Sequence, residues 1–335
     1  MGRGTLSTTA TVLGTAEAGT HPGLVLAVDG GNSKTDVALA TADGEILAQA
    51  QSGPFTPQTT GVGSAIDIVA RSVGEIRARL GLAQDAPLAR HLSAFVAGAD
   101  LPQEEVALAE AFAARGWAET VEVGNDTFAM LRAGATRPWG VAVVCGAGTN
   151  CAGIAPDGRR ARYPALGQLT GDWGGGRDLG TLAMYAAVRG EDGRGARTAL
   201  TAAVAEHFGT ESALDASLGF HLGSFADERI HELSPLLLRV AATGDAVALK
   251  YVERQAYEVV VWARVALDRL GLLGRETEVV LGGGVLRAAV PVLMDRIAEH
   301  ARREIPAAVL VVPKRRPIHG SVLLGLDRLG HTPVT

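Results

Sequence analysis

The run Leu24-Val25-Leu26-Ala27-Val28-Asp29-Gly30-Gly31-Asn32-Ser33-Lys34-Thr35-Asp36-Val37-Ala38-Leu39 constrains the fold more than any other part of the chain. An apolar strand ends in an acid, passes through a glycine turn, and returns at once as a second apolar strand, which only a hairpin satisfies. Glycine strips the turn of side chains, while Ser33, Lys34, Thr35 and the backbone amides line it with donors, which suits an approaching phosphate. A carboxylate at the end of a buried strand is costly without a partner, and Asp29 is placed to hold a metal ion. Because the turn feeds a strand and not a helix, neither a Walker-type loop nor a strand-to-helix dinucleotide fingerprint fits.

The chain is long enough, at 335 residues, for two domains with sizeable cores, and 47% apolar composition makes it globular. A net charge of -5 without a long basic run argues against a nucleic-acid partner; Lys314-Arg315-Arg316 reads as a solvated loop. Two cysteines, Cys145 and Cys151, make no disulfide framework, so a reducing cytoplasm is the expected setting. No apolar stretch approaches the roughly 18 residues of a membrane span. The leader, residues 1–23, lacks the apolar core of a signal peptide and reads as a disordered tail.

After the hairpin, the pattern predicts a strand from Ile46 and a long irregular loop over 52–63. It then predicts a helix over 65–80, a strand at 92–97 ended by Gly98-Ala99-Asp100, a helix at 103–115, a strand at 119–123 and a helix from Asp126. Pro138-Trp139-Gly140 is a plausible junction between domains 24–137 and 138–330. Directly after it, strand, glycine turn, strand and Asp-Gly turn recur about 115 residues on, as Gly140–Cys145, Gly146-Ala147-Gly148-Thr149-Asn150, Cys151–Ala155 and Pro156-Asp157-Gly158. The repeat implies two similar α/β halves. From Asp172 the chain reads as helical up to a strand at 279–281, which runs into Gly282-Gly283-Gly284. One helix is expected from Val285 to Glu304, then a strand at 309–312 and a helix at 321–328. A lone glycine turn is more often structural than functional, but three together, one leading into a helix that could receive an adenosine moiety or anion, carry more weight.

At this point the residues resemble a family. Asp29 to Asp36, Asn125-Asp126, Gly146-Ala147-Gly148-Thr149-Asn150-Cys151, Gly167-Gln168-Leu169-Thr170-Gly171-Asp172 and Gly282-Gly283-Gly284 occur in the order seen in the actin/hexokinase/Hsp70 ATPase superfamily. Within it the chain resembles the N-acetylglucosamine kinase group of the BadF/BadG/BcrA/BcrD ATPase family, over roughly residues 24–328. The resemblance implies two ribonuclease H-like lobes with a cleft between them, Mg-ATP as cofactor, a sugar as substrate, and a homodimer as a common state of relatives.

It also implies roles. Asp126 would be the catalytic base, where the residues alone also allow a helix N-cap; Asn125 reads as structural. Asp29 would hold Mg²⁺, where a turn-capping acid is the alternative. Gly30, Gly31, Asn32, Ser33, Lys34 and Thr35 would form the first phosphate loop and Gly148, Thr149 and Asn150 the second. Gly282, Gly283 and Gly284 would form the adenosine motif. Thr56, Gly98, Gly148, Gly167 and Asp172 would join Asp126 around the sugar, with Asp172 also near the metal. Four positions depart from the family pattern: Thr56 stands for Asn, Ala147 for Thr, Leu166 for Trp and Trp173 for Glu. All lie on the sugar side, so glucosamine or another amino sugar competes with N-acetylglucosamine as substrate. Two other readings stay open: an ATPase activator of a CoA dehydratase or reductase, whose iron–sulfur cluster would need cysteines placed unlike Cys145 and Cys151, and a non-catalytic sugar binder. The cysteine-rich zinc motif of ROK sugar kinases is absent.

Overall fold

The computed structural model describes residues 10–13 and 23–331. They divide into two compact units, one holding the described residues 10–13, 23–142, 152–164 and 313–331, the other residues 143–151 and 165–312.

The first unit is built on a six-stranded sheet. Its strands are β1 (Ala10–Leu13), β2 (Gly23–Gly30), β3 (Thr35–Ala40), β4 (Ile46–Ser52), β5 (Ala89–Val96) and β6 (Ala118–Asn125), in the order β1-β6-β5-β2-β3-β4. The opening run is indeed a hairpin: β2 and β3 pair antiparallel, with Val28 opposite Val37 and Gly30 opposite Thr35. The β2–β5 and β5–β6 pairs are parallel.

The apolar runs are unbroken because both faces of the sheet are covered. Leu26, Val28, Val37 and Leu39 pack with buried residues of α2 (Val62–Leu80) and α3 (Pro102–Ala113). The alternate residues Val25, Ala27, Ala38 and Ala40 pack on Ile318, Val322 and Leu326 of α12 (Pro317–Arg328). Alanine on that face keeps α12 close. The last helix therefore belongs to the first unit, where α4 (Asp126–Gly134) lies against it and Arg132 pairs with Asp327 at 2.7 Å.

Three expectations are corrected. The leader is not wholly a tail: Ala10–Leu13 pairs antiparallel with β6, Ala10 opposite Val123, while the rest of the expected tail, residues 1–9 and 14–22, lies outside the described residues. The loop over 52–63 holds a one-turn helix, α1 (Pro57–Thr60), started by a proline whose fixed φ suits a first helical position. The basic segment is not all solvated, because Arg316 reaches buried Asp36 at 2.6 Å.

Strands β7 (Gly140–Cys145), β8 (Thr149–Ile154), β9 (Arg160–Arg162), β10 (Thr277–Gly282) and β11 (Ala308–Val311) form a second, five-stranded sheet. Within the second unit β10 and β11 run parallel. Around them lie α5 (Gly176–Asp192), α6 (Leu200–Phe208), α7 (Ala213–His221), α8 (Leu233–Ala242) and the long α9 (Ala246–Arg269), with α10 (Gly283–Arg287) and α11 (Pro291–Glu304) after β10. The single helix expected from Val285 to Glu304 is thus two helices. Ala289 takes a positive φ of 47° and Pro291, which has no amide to continue a helix, opens α11. Among the described residues no helix is long and apolar enough to cross a membrane.

Candidate active site

In the first unit the site gathers at one end of the sheet, where β2, β5 and β6 stop. Asp29 is the penultimate residue of β2 and remains half-buried. Burial, and then the like charges of Asp126 and Asp36, push its carboxyl up to about 7, with Lys34 and Arg316 pulling the other way. Asp126 opens α4 directly after β6. It does not cap its own helix: Asn125 does, its side-chain oxygen accepting from Thr127 N at 2.9 Å. The Asp126 carboxylate is thereby released from the capping role. Burial pushes it up to about 6, and hydrogen bonds from Thr127 moderate the rise.

The hairpin turn closes by Gly31 N donating to Lys34 O at 2.9 Å, and Asn32 and Ser33 are exposed at its tip. Two of its expected phosphate donors are engaged elsewhere. The Thr35 hydroxyl is fully buried and donates to Gly53 O at 2.8 Å. Lys34 lies 3.3 Å from Asp36. Burial alone would raise Asp36, but the Gln51 hydrogen bond and the charges of Arg316 and Lys34 outweigh it and hold Asp36 below the usual range. The loop bearing Thr56 is tied to this turn, since Phe55 N donates to Gly31 O at 2.9 Å and Ala97 N, one residue before Gly98, donates to Gly30 O at 2.6 Å. Asp29, the turn, Thr56, Gly98 and Asp126 therefore come together.

Sequence reasoning overlooked Asp100 in this cluster. Its Oδ1 accepts from Asn125 Nδ2 at 2.7 Å. Burial, then Asp126 and Glu104, push its carboxyl up to about 7, while Arg162 and the Asn125 bond oppose the rise. Asp100 stands just beyond the end of β5 and Asn125 ends β6, and the register that pairs Val96 with Asn125 makes them neighbours.

The second unit is organised around backbone. The turn after β7 closes by Gly146 N donating to Gly148 O at 2.9 Å, and the start of α5 docks on it through Gly176 N to Gly146 O (2.7 Å) and Arg177 N to Ala147 O (2.9 Å). Gly175, at φ 85°, lies so close that a Cβ there would meet Gly148 O at 2.5 Å. Gly283, at φ 82°, sits equally tightly on the backbone of Cys145 and Gly146. The turn after β7, Gly175 and Gly176 at the start of α5, and Gly283 thus converge. Gly146, Gly148 and Gly284, by contrast, have nothing within 4 Å of where a Cβ would stand, so packing does not demand glycine there. Thr149 is buried with its hydroxyl 3.6 Å from Cys145 Sγ, and Asn150 accepts from Cys151 N at 2.7 Å.

Asp172 is only 6% exposed, accepts from the Thr170 hydroxyl at 2.7 Å, and donates its amide to Gly167 O at 3.1 Å. A second residue missed in the sequence, Gln255 of α9, is fully buried. Its Oε1 accepts from Gly175 N at 2.9 Å and its Nε2 donates to Cys145 Sγ at 3.5 Å. Both cysteines are buried and free, and burial pushes Cys145 up to about 12. Among the described residues no group of three or more His, Cys, Asp and Glu side chains could hold a metal ion alone. Mg²⁺ bound to a nucleotide needs only one or two carboxylates beside the phosphates. Asp29, crowded by Asp126 and Asp36, offers the excess negative charge that such an ion would relieve.

Residues 26–325 match the BadF/BadG/BcrA/BcrD ATPase family. The chain is 23% identical over 300 residues to an N-acetylmuramic acid/N-acetylglucosamine kinase of Clostridium acetobutylicum, covering 90% of this chain and 97% of that one. Its fold resembles that of a candidate N-acetylglucosamine kinase from Chromobacterium violaceum (TM-score 0.69, 24% identity, 90% and 98% of the two chains). It also resembles a ROK family glucokinase from Streptomyces griseus solved with glucose and AMPPNP (TM-score 0.57, 17% identity, 92% and 99%). The fold is therefore the α/β fold of the actin/hexokinase type, and the chain belongs to the BadF/BadG/BcrA/BcrD ATPase family.

Proposed function

We propose that the chain is an ATP-dependent sugar kinase that phosphorylates a hydroxyl of an amino sugar, N-acetylglucosamine or glucosamine. Family membership and the kinase relatives support the reaction class. The observation that carries the assignment of the base is Asp126: a carboxylate at a strand end, freed from capping by Asn125 and raised to about 6, near the pH at which a general base works best. Asp126 accepts the proton of the acceptor hydroxyl as that oxygen attacks the γ-phosphorus of ATP. Thr56, Gly98, Gly148, Gly167 and Asp172 orient the sugar.

The amides of the hairpin turn and of Gly148–Asn150 surround the phosphates, and the 282–284 run receives the adenosine. Asp29 and Asp172 would hold Mg²⁺, which when bound supplies charge neutralisation to the β- and γ-phosphates. Thr35 is assigned to shaping the first loop, since its hydroxyl is engaged with Gly53. ADP release over a panel of amino sugars and hexoses with Mg-ATP tests the reading. Turnover with an amino sugar, lost in Asp126→Asn, is the expected result; full turnover in that variant overturns the role of Asp126. Stoichiometric iron in anaerobically purified protein would favour the ATPase-activator reading instead.

A further inference from the structure

We propose that Asp100 is a positioning residue for Asp126, acting through Asn125; the proposal rests on the sugar kinase reading above. Asn125 has two tasks at one point. Its oxygen caps α4 at Thr127 N, which fixes the first turn of the helix that carries Asp126. Its amide nitrogen donates to Asp100 Oδ1 at 2.7 Å. An amide whose two ends are both engaged has one orientation. Losing the Asp100 acceptor removes one of the bonds that orient the Asn125 amide, which weakens the hold on the cap and on the direction of the Asp126 carboxylate.

Asp100 is itself held from the other side. Glu104, in the first turn of α3, accepts from the amides of Asp100 (3.0 Å) and Leu101 (2.8 Å). Glu104 also accepts from Gln58 Nε2 at 3.3 Å, and the same nitrogen donates to Gly98 O at 3.0 Å. Gln58 lies two residues from Thr56, on the one-turn helix of the substrate loop. The chain of contacts Gln58, Glu104, Asp100, Asn125 and Thr127 thus runs from the proposed sugar loop to the proposed base, wholly within the first unit.

The arrangement is energetically unfavourable in itself. Asp126, Glu104 and Asp100 place three acids near one another with Arg162 as the opposing charge. A fold that needed only a helix cap could use Asn125 alone, so the buried acid at Asp100 points to a function beyond capping.

The test compares steady-state ADP release by Asp100→Ala and Asp100→Asn with the unaltered chain, at saturating N-acetylglucosamine or whichever amino sugar is turned over, with melting temperatures measured alongside. Asp100→Ala is expected to lower kcat by up to about tenfold, the range for losing one hydrogen bond, with KM for ATP unchanged. Asp100→Asn, which keeps an acceptor oxygen for Asn125, is expected to recover most of that kcat. The double variant Asp100→Ala with Asn125→Ala should be no slower than Asn125→Ala alone, because both remove one connection. Unchanged kcat in Asp100→Ala, equal losses in the alanine and asparagine variants, or additive losses in the double variant each overturn the proposal. If Asp100→Ala does not fold, Asp100→Asn and Asn125→Ala decide: a kcat loss in Asn125→Ala with near-normal Asp100→Asn supports it, and the reverse overturns it. Asp126→Asn, run in parallel, separates the two readings, since full turnover there removes the base assignment itself.

Discussion

The two units place their candidate site residues by opposite means. The first concentrates side-chain charge: Asp29, Asp100 and Asp126 stand at adjacent strand ends, each pushed well above its ordinary value by burial. The second relies more on backbone, with amides and carbonyls packed through Gly146, Gly175, Gly176 and Gly283. A carboxylate can be neutralised by one atom's substitution with little change of shape. A glycine at positive φ against a neighbouring carbonyl cannot be altered without moving backbone. The first unit should therefore fail in rate, and the second in stability.

The largest effect expected is Asp126→Asn. In the proposed role of general base, Asp126 would account for about 10²- to 10⁴-fold in kcat. Its raised carboxyl means the fold disfavours the ionised form at neutral pH, so the amide should leave the melting temperature equal or higher. A melting temperature that dropped together with the rate would break the contrast. Gly175→Ala should do the reverse. A methyl at φ 85°, 2.5 Å from Gly148 O, should destabilise by about 2–6 kcal/mol, read by thermal or urea denaturation.

Next in size is pH. In the proposed role Asp126 must be ionised to accept a proton, so kcat should fall toward tenfold per unit as pH drops below about 6 and be flat above about 7. A rate level down to pH 5 would remove Asp126 from the chemistry. The smallest structural effect belongs to Gly148→Ala: with open space around the added methyl, the melting temperature should hold while KM for ATP rises. That result would show which glycines the ligand requires and which the packing requires.

The sequence carries much of this contrast. Unbroken apolar runs announce strands covered on both faces, and glycine runs announce close backbone approach, since both signals are local. What depends on distant pairing is silent. Asp100 and Asn125 lie 25 positions apart and meet only through the parallel register of β5 and β6. Arg316 finds Asp36 across 280 positions. Gln255 reads as one more polar residue in an amphipathic helix, although it is fully buried. Lys34 looks like a phosphate ligand by composition, yet it faces an acid two residues on. The break before α11 has a local signal in Pro291, which has no amide to continue a helix.

Gln255 has a consequence for how this chain can drift. One buried amide meets both a thiol and a backbone N–H, and a Cβ on Gly174 would stand 2.5 Å from it. A shorter side chain at 255 would strand Gly175 N, and a larger residue at 174 would displace the amide. Positions 145, 174, 175 and 255 are thus bound into one unit of variation, and a change at one should be tolerated only in company with the others.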